Sequence, residues 1–141
     1  MTTEEINKAQ ISRLLAEVDQ GNLAIVDEVY SEAYVDHTPS PVRGLKPGKA
    51  GVKQAFEIFR KAFPDARHSL PHLVAEGDCV VAHISAKGTH TGELFGKAPT
   101  NKETTLTGIA LYKFREGKII ERWAYSEEPG ILAQLGIELP N

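Results

Sequence analysis

Apolar residues recur at helical spacing in three stretches of the first 63 positions of the chain. The stretch "TTEEINKAQISRLLAEVDQG" predicts a helix, because one of its faces carries Ile11, Leu14, Leu15 and Val18. Thr2 and Glu5 have the spacing of a capping box at the start of this helix. Gly21 is placed to end it.

Two shorter helical patterns follow. "LAIVDEVY" predicts a second helix, with Asn22 positioned to cap it. Pro64 ends a third, "KAGVKQAFEIFRKAF", whose apolar side carries Val52, Phe56, Phe59 and Phe63. Between these two helices, "EAYVDHT" predicts a short extended segment, and "PSPVRGLKPG" predicts a loop rich in proline and glycine.

From Ala66 onward, apolar and polar residues alternate, which is typical of half-buried strands. The predicted strands are "ARHSLPHLVAE", "CVVAHISAKGTHTG", "TTLTGIALYKF" and "KIIERWAYS", and the last two form a hairpin around "REG". Pro71 makes the first of these an edge strand or a bulged one. "EPGILAQLG" predicts a small closing helix. Helices followed by a run of antiparallel strands indicate an α+β fold, and we expect residues 1 to 141 to form one domain.

Alternation along a strand sorts its side chains into two faces. On the last strand, one face carries Arg122 and Ala124, and the opposite face carries Glu121, Trp123 and Tyr125. A curved sheet wrapped around its helices leaves a hollow, which is where we expect a ligand site. Alternation alone does not identify the face that lines this hollow.

Composition narrows the classes of partner. Of 141 residues, 41% are hydrophobic and 25% are charged, and the formal net charge is −3, as in ordinary globular domains. The sequence has no stripe of basic residues of the kind that binds nucleic acid. It also has no apolar run long enough to cross a membrane. We expect Cys79, the only cysteine, to be a buried small side chain. A reducing cytoplasm is the expected compartment.

Each of the five histidines needs its own interpretation. His68 and His72 have a spacing that suits metal ligands on a helix, but on a strand they point the same way about 13 Å apart, so we expect no metal site. His90, in "GTHTG", is expected to anchor its loop. For His37 and His83, a structural and a functional role both remain open. The sequence contains no nucleophile motif and no phosphate-binding loop.

Five segments carry a resemblance to a known family. They are "AFPDARHSL", "VAEGD", "GTHTGELFGKAPT", "LTGIALYKFREGKIIERW" and "GILAQLG". In this order, over roughly residues 5 to 136, they resemble the landmarks of the SnoaL-like polyketide cyclases, also called ester cyclases. That family belongs to the superfamily of nuclear transport factor 2 and ketosteroid isomerase. The resemblance implies a cone-shaped α+β barrel, in which a curved antiparallel sheet packs on three N-terminal helices, and it implies a homodimer.

The resemblance also implies a set of pocket residues. These are Ala110, Tyr112, Arg122 and Ala124 on the hairpin, His83 and Ser85 on the preceding strand, and His37 near the end of the short early strand. The implied ligand is a small apolar or aromatic carbonyl compound. No metal, no organic cofactor, no nucleic acid and no membrane is implied.

The mechanism that the resemblance implies lacks its usual base in this chain. In the family, a carboxylate removes a proton alpha to a carbonyl, and the apolar pocket around this carboxylate raises its pKa. The usual acid aligns with Ala124, and the His or Asp of the hairpin partner aligns with Ala110. Neither alanine transfers a proton, and with Gly108 they widen the pocket. Glu127, just beyond the strand, is the expected replacement carboxylate.

Three functions are therefore open. The first is a cofactor-independent cyclase, isomerase or hydro-lyase, with His83 as the acid/base and His37 as a second proton donor, because imidazole titrates near neutral pH. The second is a non-catalytic protein that binds a small molecule through Arg122 and Tyr112. The third is an interaction module that uses the other face of the sheet, which carries Leu111, Trp123 and Tyr125.

Overall fold

The computed structural model describes residues 1–38, 42, 44–126 and 131–136. Its elements are α1 (Thr3–Asp19), α2 (Ile25–Val29), β1 (Tyr30–Asp36), α3 (Lys49–Ala62), β2 (Arg67–Glu76), β3 (Cys79–Thr89), β4 (Glu103–Arg115), β5 (Lys118–Ser126) and α4 (Ile131–Leu135). The order predicted from the sequence pattern, helices first and strands after them, is confirmed. Within the described residues, no helix is both long and apolar enough to cross a membrane.

The predicted N-terminal cap is observed for α1 and is not observed for α2. Thr2 Oγ1 accepts the Glu5 N–H at 3.1 Å, and the Glu5 carboxylate accepts the Thr2 N–H at 3.4 Å, which completes the predicted capping box. Asn22 does not cap α2, because its side chain donates instead to Glu17 at 2.9 Å. With five residues and no side-chain cap, α2 depends on packing through its buried residues Ile25, Val26 and Val29.

The five strands form one sheet in the order β1-β5-β4-β3-β2. Neighbours from β2 to β5 are antiparallel, whereas β1 pairs with β5 in parallel, so the predicted antiparallel sheet has one parallel edge. This edge places Asp36, the last residue of β1, opposite Arg122 in the middle of β5.

A bulge in β2 changes the direction of its side chains. Ser69 pairs with Ser85 and His72 pairs with His83, so β2 holds one more residue than β3 between these pairs. The extra residue reverses the alternation beyond Pro71, whose ring nitrogen carries no hydrogen. The expectation that His68 and His72 point the same way is therefore wrong, since His68 pairs with Ala86 and lies on the opposite face.

We call the face of the sheet that packs on the helices the inner face. Its buried residues include Val80, Ala82, Ala110, Tyr112 and Phe114, and they form one core cluster with Ile11, Leu14 and Val18 of α1. Fully burying each such aliphatic side chain contributes roughly 1.5–3 kcal/mol. No described helix covers the opposite, outer face, where Val74, Val81, Ile109 and Tyr125 are exposed.

A second cluster fixes the loop between β3 and β4. Ala62, Phe63, Leu94 and Leu135 are buried together there. His90 is completely buried, and its Nδ1 accepts the Thr100 N–H at 3.1 Å. The prediction that His90 anchors its loop is confirmed.

Candidate functional site

The burial of the inner face differs between its two ends. At one end, Val80, Phe114 and Ile119 are buried. Toward the other end, several apolar residues pack against the core and yet remain partly exposed: Val52, Phe56, Leu70, Ile84 and Ala124. Apolar side chains that face covering helices but remain accessible line a hollow, and such hollows are the usual sites of small ligands.

An ion pair lies on the inner face where β1 meets β5. Arg122 Nη1 donates to Asp36 Oδ2 at 2.8 Å, and the two side chains are 30% and 33% exposed. The other carboxylate oxygen of Asp36 accepts the Thr38 N–H at 3.0 Å. Burial acts to lower the pKa of Arg122, but Tyr112 and Asp36 act in the opposite direction and raise it on balance. Arg122 is therefore a permanent cation held in one orientation.

Buried tyrosines surround this ion pair. The rings of Tyr30 and Tyr34 pack edge to face with centroids 4.8 Å apart, and Tyr112 pairs with Arg122 across β4 and β5. Burial raises the pKa of Tyr30 and of Tyr34, and the charge of Asp36 raises that of Tyr34 further. Both phenols therefore stay protonated and can donate. Within the described residues, the buried hydroxyl of Tyr34 makes no hydrogen bond of standard geometry, but the Asp36 carboxylate lies close enough to act on it as an acceptor.

A second polar cluster joins α1 to β2. Asp19 Oδ1 lies 2.6 Å from His68 Nδ1, and Asp19 Oδ2 accepts the His68 backbone N–H at 2.8 Å. The side chains are 12% and 19% exposed, respectively. His68 pairs with Ala86 and thus lies on the inner face, next along the sheet from Leu70 and Ile84 of the hollow. In the described part of the chain, Nε2 of His68 has no hydrogen-bond partner.

Four of the predicted pocket residues share the inner face, as the resemblance implies. Ala110 pairs with Ala124, and Tyr112 pairs with Arg122. Ala82 continues the first of these rows on β3, so three methyl groups lie side by side across three strands. Ala82 and Ala110 are buried, whereas Ala124 stays partly exposed.

Gly108 was expected to widen the pocket, but the structure gives another reason for a glycine at this position. A Cβ atom at this position would lie 2.7 Å from the carbonyl oxygen of Tyr125. The close approach of β5 therefore requires glycine on β4 at this point, whether or not the pocket needs the space.

His83 and Ser85 do not line the hollow, so this expectation is wrong. The register of β3 and β4 pairs even-numbered residues with even-numbered ones, as in Ala82 with Ala110. His83 pairs with exposed Ile109 and therefore belongs to the outer face. There its Nδ1 lies 3.0 Å from Nδ1 of His72.

His37 also lies on the outer face. Its ring stacks on that of Trp123 with centroids 4.5 Å apart, and its Nε2 lies 3.0 Å from Glu121 Oε1. Glu121 pairs with exposed Val35, which confirms that the group lies away from the helices. The predicted grouping of His37 with His83 in one pocket is therefore not observed.

Two further expectations concern Glu127 and metal ions. Glu127 lies outside the described residues. Among the residues that are described, no three His, Cys, Asp or Glu side chains converge as metal ligands.

Sequence reasoning missed Asp19, His68, Asp36 and Tyr34 as site residues. His68 was considered only as a partner of His72, and neither Asp19 nor Asp36 belongs to a motif. The available signal was the strand alternation of "EAYVDHT", which places Tyr34 and Asp36 on one face.

The sheet, its covering helices and the polar groups between them define an α+β domain whose candidate site lies on the inner face. The family model of the SnoaL-like polyketide cyclases matches residues 9–135. The chain belongs to this family, and it has the cone-shaped fold of nuclear transport factor 2-like proteins.

Solved structures agree with this assignment. IdmH, a putative polyketide cyclase from Streptomyces antibioticus, is 28% identical with a TM-score of 0.77, over 93% of this chain and 99% of that one. AclR, a putative hydroxylase from Streptomyces galilaeus, is 25% identical with a TM-score of 0.78, over 92% and 95%. A putative polyketide cyclase from Acidithiobacillus ferrooxidans is 26% identical with a TM-score of 0.80, over 96% and 98%. No curated protein matches the sequence significantly.

Proposed function

We propose that this chain is a cofactor-independent acid–base enzyme that acts on an apolar carbonyl compound, with Asp19 and His68 as its proton-transfer dyad. The observation that carries the proposal is the 2.6 Å contact between Asp19 Oδ1 and His68 Nδ1 on the inner face. Cyclisation, isomerisation and loss of water can all begin with removal of a proton alpha to a carbonyl. The base absent from position 124 is then supplied by β2.

The dyad has the chemistry of a general base. A carboxylate beside Nδ1 favours the tautomer with the proton on that atom, which leaves the lone pair on Nε2. When Nε2 takes a proton, the negative charge of Asp19 stabilises the imidazolium. Because the second carboxylate oxygen is held by the His68 backbone N–H, the acid and the ring keep one relative orientation.

The lining of the hollow supports an apolar substrate. Leu70, Ile84 and Phe56 offer partly exposed hydrocarbon surface, and Ala124 adds a small apolar side chain on the same face. Arg122 and Tyr112 supply polar contacts at the β5 side of the same face. IdmH and the protein from Acidithiobacillus ferrooxidans are described as putative polyketide cyclases, and a polyketide is a compound that carries carbonyl groups.

The test is proton exchange, because it needs no knowledge of the natural substrate. The protein is incubated in D₂O with 2,6-diacetylnaphthalene and other aryl ketones, and loss of the alpha protons is followed by NMR. His68→Asn is the informative variant, since its amide nitrogen can still donate to Asp19 but offers no base. We expect its exchange rate to fall by roughly 100-fold or more, with the unfolding midpoint little changed.

His72→Asn is the matched control, four residues away on the outer face, and should exchange at the wild-type rate. Unchanged exchange in His68→Asn would contradict the proposal, as would loss of exchange on substitution of His83 instead. If the wild-type protein binds these ketones but exchanges none, the second function stands, a non-catalytic small-molecule binder.

We also propose that the chain forms a homodimer through the outer face of its sheet. The support is exposed apolar surface there, with Ile109 51% and Tyr125 74% exposed. Ile109→Asp should shift the mass measured by light scattering toward the monomer, whereas Glu116→Gln, in the turn between β4 and β5, should not. A monomeric wild-type protein at micromolar concentration would contradict this.

A further inference from the structure

We propose that His72 and His83, which pair across β2 and β3 on the outer face, bind one divalent transition-metal ion through their two imidazole rings. Ions such as Ni²⁺, Zn²⁺ and Cu²⁺ are the class of ligand that adjacent imidazoles recognise. The inference is independent of the Asp19–His68 dyad, which lies on the inner face, and it gives a role to two histidines that the proposed function does not use.

The bulge in β2 brings the two rings together. Ser69 pairs with Ser85, so a regular register beyond this point would set Pro71 opposite His83 and turn the next residue toward the inner face. The extra residue of the bulge instead sets His72 opposite His83. Directly opposed residues of antiparallel strands carry their side chains on one face, with Cβ atoms about 4.5–5.5 Å apart. The backbone therefore holds the two rings side by side.

The distance between the two rings fits a shared ion. Nδ1 of His72 lies 3.0 Å from Nδ1 of His83, and the ring planes differ by 8°. At this distance one nitrogen carries a proton and donates it to the other. Two nitrogens that each lie about 2.0–2.1 Å from one Zn²⁺, at an angle of roughly 90–110°, are about 2.8–3.4 Å apart. The ion therefore replaces the shared proton after a rotation of the rings, and the strands stay in place.

The surroundings of the pair select the kind of ion. The neighbouring cross-strand pairs on the same face, Ser69 with Ser85 and Val74 with Val81, are uncharged. They therefore place no cation beside the ion and no carboxylate that would favour Mg²⁺ or Ca²⁺, which take oxygen ligands. Within the described residues, no third His, Cys, Asp or Glu joins the pair, so we expect solvent to complete the coordination. The pair lies on the edge strand β2 and its neighbour, where an ion enters directly from solvent.

Calorimetric titration of NiCl₂ into the wild-type protein, His72→Asn and His83→Asn tests the site. We expect one Ni²⁺ per wild-type chain, and either substitution should weaken binding by at least about 10-fold, because the second ligand no longer acts at a high effective concentration. Ni²⁺ should raise the urea midpoint of the wild type and leave that of His72→Asn unchanged. The electron paramagnetic resonance spectrum of the Cu²⁺ complex should show two nitrogen ligands in the wild type and fewer in either variant. MgCl₂ should give no binding signal.

His37→Asn and Cys79→Ser are the matched controls, because these residues also lie on the outer face and carry metal-binding atoms. Both variants should keep the wild-type affinity for Ni²⁺. Wild-type affinity in His72→Asn or in His83→Asn would overturn the inference, as would an equal loss in His37→Asn. Half an ion per chain would overturn it too, because the ion would then bridge two copies of the chain.

Discussion

Asp19 and His68 fasten the last residue of α1 to the start of β2 through both oxygens of one carboxylate, at 2.6 and 2.8 Å. The contact that fixes the helix on the sheet also sets the orientation of the imidazole ring. Substitutions here are therefore expected to affect stability and proton transfer together, and the two effects can be separated by the choice of residue.

Asp19→Asn should lower the free energy of unfolding by about 1–3 kcal/mol. The carboxylate accepts from both the backbone N–H and Nδ1 of His68, whereas the asparagine amide would turn its own NH₂ group toward one of these two donors. Urea unfolding measures this loss. Ser12→Ala, an exposed change on the same helix, should stay within about 0.5 kcal/mol of the wild type. If Asp19→Asn is as stable as Ser12→Ala, the contact does not hold the helix on the sheet.

The pair of Arg122 and Asp36 should show a measurable coupling energy. Their side chains are about one-third exposed, so we expect a coupling of about 1–2 kcal/mol, between the values for exposed and buried pairs. A double-mutant cycle with Arg122→Met and Asp36→Leu measures it from urea unfolding. The matched cycle on Arg13 and Glu28, whose side chains are at least half exposed, should give less than about 1 kcal/mol. Equal couplings would show that the hollow does not shield the inner pair.

Stability should fall in strongly alkaline solution. Burial raises the pKa of Tyr30 and Tyr34 in the folded chain, whereas in the unfolded chain a phenol has a pKa of about 10. The unfolded state therefore loses these protons first as the pH rises, and the stabilising contribution, complete below pH ~10, is lost above it. Urea midpoints between pH 8 and pH 11 measure the decline.

Tyr30→Phe and Tyr34→Phe should each make that decline shallower, and the double substitution should make it shallower still. Absorbance at 295 nm offers an independent check, because the two buried phenols should ionise only as the protein unfolds. A stability that stays constant to pH 11 would contradict the burial of these hydroxyls.

Gly108→Ala should be destabilising despite adding one methyl group. The new Cβ would lie 2.7 Å from the Tyr125 carbonyl oxygen, so β4 and β5 must separate locally, at a cost of about 1–3 kcal/mol. Thr105→Ala, an exposed change on the same strand, is the control for strand propensity. Thermal unfolding compares the two variants. If Gly108→Ala loses less stability than Thr105→Ala, β4 and β5 can separate at this point at little cost.

Most of the fold could be predicted from the sequence, because periodicity records which side of each element meets the core. The helix containing Ile11 and the hairpin around "REG" both follow from it. The parallel pairing of β1 with β5 could not be predicted, since the two strands are far apart in the sequence and no local pattern records the pairing.

The site could be predicted only in part, for the same reason. The inner-face positions of Tyr112 and Arg122 follow from alternation once the face is known. His83 was assigned to the wrong face because the register between β3 and β4 is a tertiary property. Asp19 meets His68 across 49 positions of sequence, and neither residue alone signals the other.

Pro71 has a consequence for how the molecule meets its neighbours. It lies in β2, the outermost strand on its side of the sheet, and it interrupts the row of N–H groups that another strand would need. The bulge beside it also breaks the straight edge that strand addition requires. Growth of the sheet from chain to chain is thereby blocked on this side, which protects the protein from edge-to-edge aggregation while its broad outer face stays accessible.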